Sequence, residues 1–179
     1  QKWYSALKKI PEFAKLYFEQ YNITLTEHVT LHIGEVRTYV GPGPSPLTQE
    51  QIFTKPNEEL AEFLVNYKPS NEWRGHTEEG LADSLKKAVQ ANPSKFTENL
   101  IPFLKVGYSH IHSILWGLLD AWKEKREIDW GNTLNFVHQY TDRDGFWKDE
   151  FDLRRANHTW IVRTAAELIK SGTTNSNCS

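Results

Sequence analysis

The chain has 179 residues, enough for one domain with a sizeable core, and 39% of them are hydrophobic while 25% are charged. That composition excludes a disordered chain, and the 13% aromatic share indicates that large flat side chains fill much of the core. The 21 basic and 23 acidic residues give a net charge of −2 and no basic surface for nucleic acid. No apolar run approaches the roughly 18 residues that cross a bilayer.

The first part of the chain predicts helices separated by loops. Residues 3–21 have helical periodicity, and Pro11 suits the first turn of a restarted helix. Residues 23–40 are ambiguous, because their β-branched side chains suit a strand and their polar spacing suits a short helix. The sequence GPGPSP at 41–46 is a turn or loop, and a helical segment over 47–67 follows it.

The second part predicts a further series of helices. Thr77 is the expected N-cap of one helix, and a turn with a short helix follows over 92–104. Another helix is predicted over 129–140, and a long one from about Asp149 to Ser171, where Gly172 is the expected C-cap glycine. The sequence therefore predicts an all-α fold of seven to nine helices, packed as successive antiparallel pairs.

Residues 108–126 contain two histidines within the most apolar run of the chain. On a helical wheel His112 falls inside the apolar arc and His110 at its far border, about 160° away, so the two cannot share a metal ion. We interpret His112 as a packed histidine and His110 as a boundary residue. Small residues recur at every fourth position and would let another helix approach closely: Ser109, Ser113, Gly117 and Ala121. We expect this helix to pack on two sides and to be the most buried.

Residues 23–40 contain the candidate metal ligands of the chain. If the segment is helical, His28, His32 and Glu35 occupy positions i, i+4 and i+7 on one face, which is a workable ligand set. The segment lacks the His-Glu-x-x-His order, and Gly34 interrupts the helix. As a strand, it would still place His28 and His32 on one face, while Glu35 would leave it. A small metal-dependent hydrolase that uses these three residues is the alternative function.

Three residues are the candidate partner contacts: Trp73, Arg74 and Trp147. Trp73 and Arg74 lie in a loop before the predicted helix that begins after Thr77, and exposed aromatic and arginine side chains dominate interface energetics. The sequence has no glycine-rich phosphate loop and no Gly-x-Ser-x-Gly elbow. We therefore expect no catalytic activity and no cofactor.

Six segments combine packing and turn motifs: YVGPGPSPLTQEQIF, PNEELAEFLVNY, EGLADSLKKAVQANPSKF, YSHIHSILWGLLDAW, DWGNTLNF and NHTWIVRTAAELIKSG. Over residues 36–172 they resemble the helical-repeat regions of very large bacterial proteins with a signalling-type NTPase module, some of them antiphage-defence proteins of the STAND class. The resemblance implies a HEAT-like α-solenoid of stacked antiparallel helical hairpins. It carries over no active-site residue, because the NTPase motifs would lie outside this chain. No strict repeat period is visible, so a compact multi-helix domain stays open.

The chain contains no methionine, so residue 1 is not an initiator. We expect a fragment of a longer protein, with a single helical domain over 1–172 and a polar tail over 173–179. Cys178 is the only cysteine, which excludes an internal disulfide and favours the cytoplasm. The expected function is a non-catalytic scaffold or sensor segment that contacts a partner protein or a neighbouring domain of its parent chain. Neither nucleic acid nor a membrane is an expected partner.

Overall fold

The computed structural model describes residues 10–22, 41–70, 75–148 and 156–174. These residues form eight α-helices, one 3₁₀ helix and no strand, which confirms the all-α fold and the expected number of helices. In chain order the helices are α1 (Pro11–Tyr21), α2 (Gln49–Thr54), α3 (Asn57–Asn66), α4 (Glu78–Ala91), α5 (Pro93–Thr97), the 3₁₀ helix (Ile101–Lys105), α6 (Tyr108–Lys123), α7 (Trp130–Thr141) and α8 (His158–Thr174).

The chain divides into two compact units, residues 1–41 and residues 42–179. In the first unit α1 begins at Pro11, as the fixed backbone angle of proline predicts, and none of its residues is buried. The second unit contains every residue of the hydrophobic core that the structure describes. The helices that position the candidate site therefore all belong to the second unit.

Side-chain caps set the first turns of several helices in the second unit, among them α2, α4 and α7. The Thr77 hydroxyl accepts a 2.9 Å hydrogen bond from the Gly80 amide and begins α4, as predicted. Thr48 and Gln51 form a reciprocal capping box at α2. The Asp129 carboxylate caps α7. Each cap satisfies amide groups that the first turn of a helix leaves without a partner.

The helix α6 lies at the centre of the second unit. Its packing against α4 and against α8 is the most extensive between any two described helices, and it has more buried residues than any other. The face toward α4 is the predicted stripe of small residues, where an added Cβ at Gly117 would lie 2.7 Å from the backbone oxygen of Lys86. This confirms that α6 packs on two sides.

Contacts along α4 and α6 show that these two helices run parallel. The Lys86 ammonium lies 2.8 Å from the Asp120 carboxylate. Four residues later in both helices' direction, the Gln90 amide donates a 2.6 Å hydrogen bond to the Glu124 carboxylate. Since the contacts advance together in sequence, the two helices point the same way.

The contacts between α6 and α8 advance in the same sense. The His112 ring lies against Trp160 near the start of both helices. Near their ends, the Trp122 indole N–H donates a 3.1 Å hydrogen bond to the Ser171 carbonyl. The helices α4, α6 and α8 therefore form one layer of parallel neighbours, while the 3₁₀ helix contacts both α3 and α7.

The elements between the long helices account for this parallel arrangement. The most extensive contacts join alternate helices, because α5 and the 3₁₀ helix return the chain between α4 and α6, and α7 returns it between α6 and α8. Each long helix thus enters the layer in the same direction as the one before it.

The end of α8 also differs from the prediction. The helix continues through Gly172 to Thr174, so Gly172 is not a C-cap residue. An added Cβ at Gly172 would lie 2.5 Å from the Trp130 ring, which shows that close packing of that ring accounts for the glycine. The helix begins at His158, after the non-helical Ala156 and Asn157, so the predicted continuous helix from about Asp149 is wrong, although Asp149 itself lies outside the described residues.

Candidate interaction surface

Of the six site residues predicted from the sequence, the structure describes Trp147. Its side chain lies in the turns that follow α7 and is 65% exposed. Outside the described residues lie Trp73, Arg74, His28, His32 and Glu35. Within the described ranges, His, Cys, Asp and Glu side chains form no group of three that could hold a metal ion.

Rings from three parts of the chain surround Trp147 and the start of α6. We call this set the aromatic surface, and its members are Tyr108, His112, Trp116, Phe146, Trp147, His158 and Trp160.

Phe146 anchors one half of the aromatic surface. It is 1% exposed, and its ring centroid lies 5.0 Å from that of Trp147, 5.8 Å from Tyr108 and 5.9 Å from His158. The interplanar angles of 66° to 80° are those of edge-to-face contacts, which aromatic rings prefer. Trp147 is therefore held by a buried ring while most of its own surface faces outward.

His112 joins the other half of the aromatic surface. Its ring centroid lies 5.3 Å from that of Trp116 and 5.2 Å from that of Trp160, which is 42% exposed. Tyr108 precedes His112 by one helical turn, so the two halves adjoin along α6. The exposed indoles of Trp147 and Trp160 thus belong to two ring clusters that adjoin at Tyr108 and His112.

The ion pair of Lys86 and Asp120 borders the aromatic surface on the α4 side. The Lys86 ammonium lies 5.3 Å from the Trp116 ring centroid, a cation–π distance, and 2.8 Å from the Asp120 carboxylate. Asp120 also lies 3.9 Å from the Lys123 ammonium, so one carboxylate lies between two lysines at this border.

The two histidines of α6 depart in part from their predicted roles. His112 is packed, as predicted, but His110 is the more buried residue: it is 5% exposed, and its buried Nε2 atom has no hydrogen-bond partner among the described residues. The helical wheel identified the apolar arc of α6, which faces one neighbouring helix. His110 lies on another side of α6, which a second neighbouring helix covers. His110 is therefore a core residue rather than a boundary residue.

Burial governs the protonation of both histidines. Burial lowers the pKa of His110, and the nearby Glu78 carboxylate opposes that shift. Burial and the Lys86 ammonium together lower the pKa of His112. Both rings are neutral at pH 7, so the aromatic surface carries no charge from His112.

The sequence reasoning missed Trp160, although a signal for it exists. In α8 the buried side chains Ile161, Ala165 and Leu168 recur at helical spacing and define the core face. Trp160 precedes that series by one residue and so falls about 100° off the core face.

A comparison with known proteins found no match, whether among family models, curated proteins or solved structures.

Proposed function

We propose that this chain is a non-catalytic helical scaffold or sensor segment that binds protein through the aromatic surface. The observation that supports this is the exposure of Trp147 and Trp160, 65% and 42%, on adjoining ring clusters that Phe146 and His112 hold. Tryptophan is enriched among the residues that dominate binding energy, and a pre-positioned ring loses little conformational entropy when it binds.

The parallel layer of α4, α6 and α8 supports a solenoid form of this scaffold. Stacked helical hairpins place alternate helices side by side, and each repeat contacts its neighbours while leaving a long surface for a partner. The starts of α4, α6 and α8 are unequally spaced, which explains how such a stack can lack a strict sequence period. In this proposal the chain belongs to a larger bacterial protein of the NTPase-linked type that residues 36–172 resemble.

The chemistry of the surface favours a protein partner, either an external one or a neighbouring domain of the same parent chain. The net charge of −2 offers little attraction to phosphate groups, so nucleic acid is not proposed. Among the described residues, no helix is both long and apolar enough to cross a membrane. We propose a cytoplasmic location because the sequence contains one cysteine, Cys178.

The proposal is tested by removing both indoles together. We expect proteins captured from a native lysate by the immobilised chain to be lost in a Trp147→Ala/Trp160→Ala variant, because truncation of such anchors costs about 2 kcal/mol or more each. Leu134→Ala is the matched control, since Leu134 is 44% exposed and lies outside the aromatic surface. Capture that is identical for wild type and the double variant would contradict the proposal.

A different measurement distinguishes the alternative function, a metal-dependent hydrolase, from the scaffold proposal. Elemental analysis of protein purified without chelator should find no stoichiometric zinc, iron or manganese if the scaffold proposal holds. Stoichiometric metal that disappears in His28→Ala would favour the hydrolase that uses His28, His32 and Glu35.

A further inference from the structure

A second surface, distinct from the aromatic surface, lies between α3 and the 3₁₀ helix. The two elements enclose an open groove of about 740 Å³. Its apolar lining includes Val65 and Ile101, whose side chains are 49% and 47% exposed, together with Ala61, Pro102 and Leu104. Apolar side chains that converge on one groove while half exposed leave surface that a partner can bury.

The α3 wall of this groove is acidic. Glu58 and Glu62 both line the groove and are exposed, and no cation lies within ion-pair distance of either among the described residues. One oxygen of Glu58 accepts a 2.9 Å hydrogen bond from the Asn99 side chain, which fixes that carboxylate at the groove. Lys105 lines the opposite side. The groove therefore presents an apolar floor with negative charge along one wall and positive charge on the other.

The walls also restrict the conformation of the occupant. Both are helices, whose backbone groups are largely hydrogen-bonded within the helix, so they offer no strand edge to an extended peptide. An amphipathic helix satisfies its own backbone hydrogen bonds and buries one apolar face in such a groove. Its basic flank would meet the α3 wall.

We propose that the groove binds an amphipathic helix of a partner protein, with basic residues on the flank that faces Glu58 and Glu62. The inference rests on the proposed interaction role of the chain, but it uses neither Trp147 nor Trp160.

The test uses a fluorescent synthetic peptide of about 14 residues, or four helical turns, with leucines at positions i, i+3, i+4 and i+7 and lysines on one flank. Its twin has glutamate in place of each lysine. Fluorescence anisotropy against the full chain should show saturable binding of the lysine peptide, and affinity at least tenfold lower for the glutamate twin. Equal affinity for the two peptides, or no saturable binding of the lysine peptide, would overturn the proposal.

Variants of the chain locate the peptide. We expect Glu58→Gln/Glu62→Gln to lower the affinity about tenfold, since exposed ion pairs at an interface rim contribute modestly. The control Glu79→Gln/Glu127→Gln changes the charge equally at exposed positions that do not line the groove, and it should leave the affinity unchanged.

The apolar floor is tested in the same assay. Val65→Ser/Ile101→Ser should lower the affinity about tenfold or more, whereas Leu134→Ser, at a comparably exposed leucine outside the groove, should not. Circular dichroism confirms that each variant is folded. Losses that are equal in the groove variants and their controls would show that the peptide binds elsewhere.

Failure of this inference is distinguishable from failure of the proposed function. Trp147→Ala/Trp160→Ala should leave peptide binding unchanged. If the peptide does not bind while protein capture still depends on the two tryptophans, the groove proposal fails and the aromatic surface stands. A proline-substituted peptide that cannot form a helix should lose binding, and its retention would refute a helical occupant.

Discussion

Gly117 allows the sharpest test of how α4 and α6 are packed. In Gly117→Ala the new Cβ would lie 2.7 Å from the backbone oxygen of Lys86 and 2.8 Å from the Cβ of Val89. Neither neighbour is the end of a flexible side chain, so the two helices must move apart by about 0.7 Å to reach the 3.4 Å of ordinary contact.

Two opposing effects determine how much Gly117→Ala changes the free energy of unfolding. Alanine is favoured over glycine inside a helix by about 1 kcal/mol, which stabilises the folded state. Overpacking a close interface costs about 1–3 kcal/mol, because separated helices lose dispersion contacts along their length. The α4–α6 interface is among the most extensive in the unit, so we expect the cost to prevail. The net effect should be a loss of up to about 2 kcal/mol and a Tm lower by up to about 8 °C.

Thermal and urea unfolding followed by circular dichroism measure this change. Gly131→Ala is the control, since an added Cβ there meets nothing closer than an Asp129 carboxylate oxygen at 3.4 Å. That variant should be slightly stabilised by helix propensity alone. A Gly117→Ala protein as stable as Gly131→Ala would refute the close approach of α4 and α6.

Further predictions concern the pH dependence of stability and two side chains that donate hydrogen bonds, Asn57 and Trp122. Because burial lowers the folded-state pKa of His110 and His112 below the ordinary value of 6.5, the free energy of unfolding should be highest above that pH. This free energy should fall as the pH drops below 6.5, by at most about 1.4 kcal/mol per pH unit for each histidine. Urea unfolding between pH 5.5 and 8 measures the decline, and His110→Gln should make it smaller. Asn57→Ala should cost about 1–3 kcal/mol in urea unfolding, because the Asn57 amide donates to three backbone carbonyls. Trp122→Phe should cost about 1–2 kcal/mol, since it leaves the Ser171 carbonyl without the indole donor, and an unchanged urea midpoint would contradict that bond.

Helical periodicity and capping chemistry are local signals, and they account for what was predictable about the fold. Thr77 begins α4 as expected, and the small residues around Gly117 face another helix as expected. Which helix they face was not predictable, because periodicity identifies a buried side without identifying the neighbour that covers it. For the same reason, the burial of His110 and the parallel packing of alternate helices were not predicted.

The candidate surfaces were less predictable than the fold. Trp147 could be proposed because a tryptophan among charged residues in a loop is conspicuous in the sequence. The groove was not foreseen, because Val65 and Ile101 belong to different elements and meet only after folding. Gly172 was misassigned because close packing against Trp130 and helix termination select the same residue type.

The central position of α6 has a consequence for communication within the chain. The helices α4 and α8 each pack extensively against α6, and Trp160 on α8 touches the same histidine, His112, whose pKa the Lys86 ammonium on α4 lowers. Among the described helices, α6 is therefore the shared neighbour of α4 and α8. Because Gly117 lies close to the Lys86 backbone, we expect a shift of α6 to move α4 with it. In a sensor, α6 would act as the relay between an occupied surface and the opposite side of the stack.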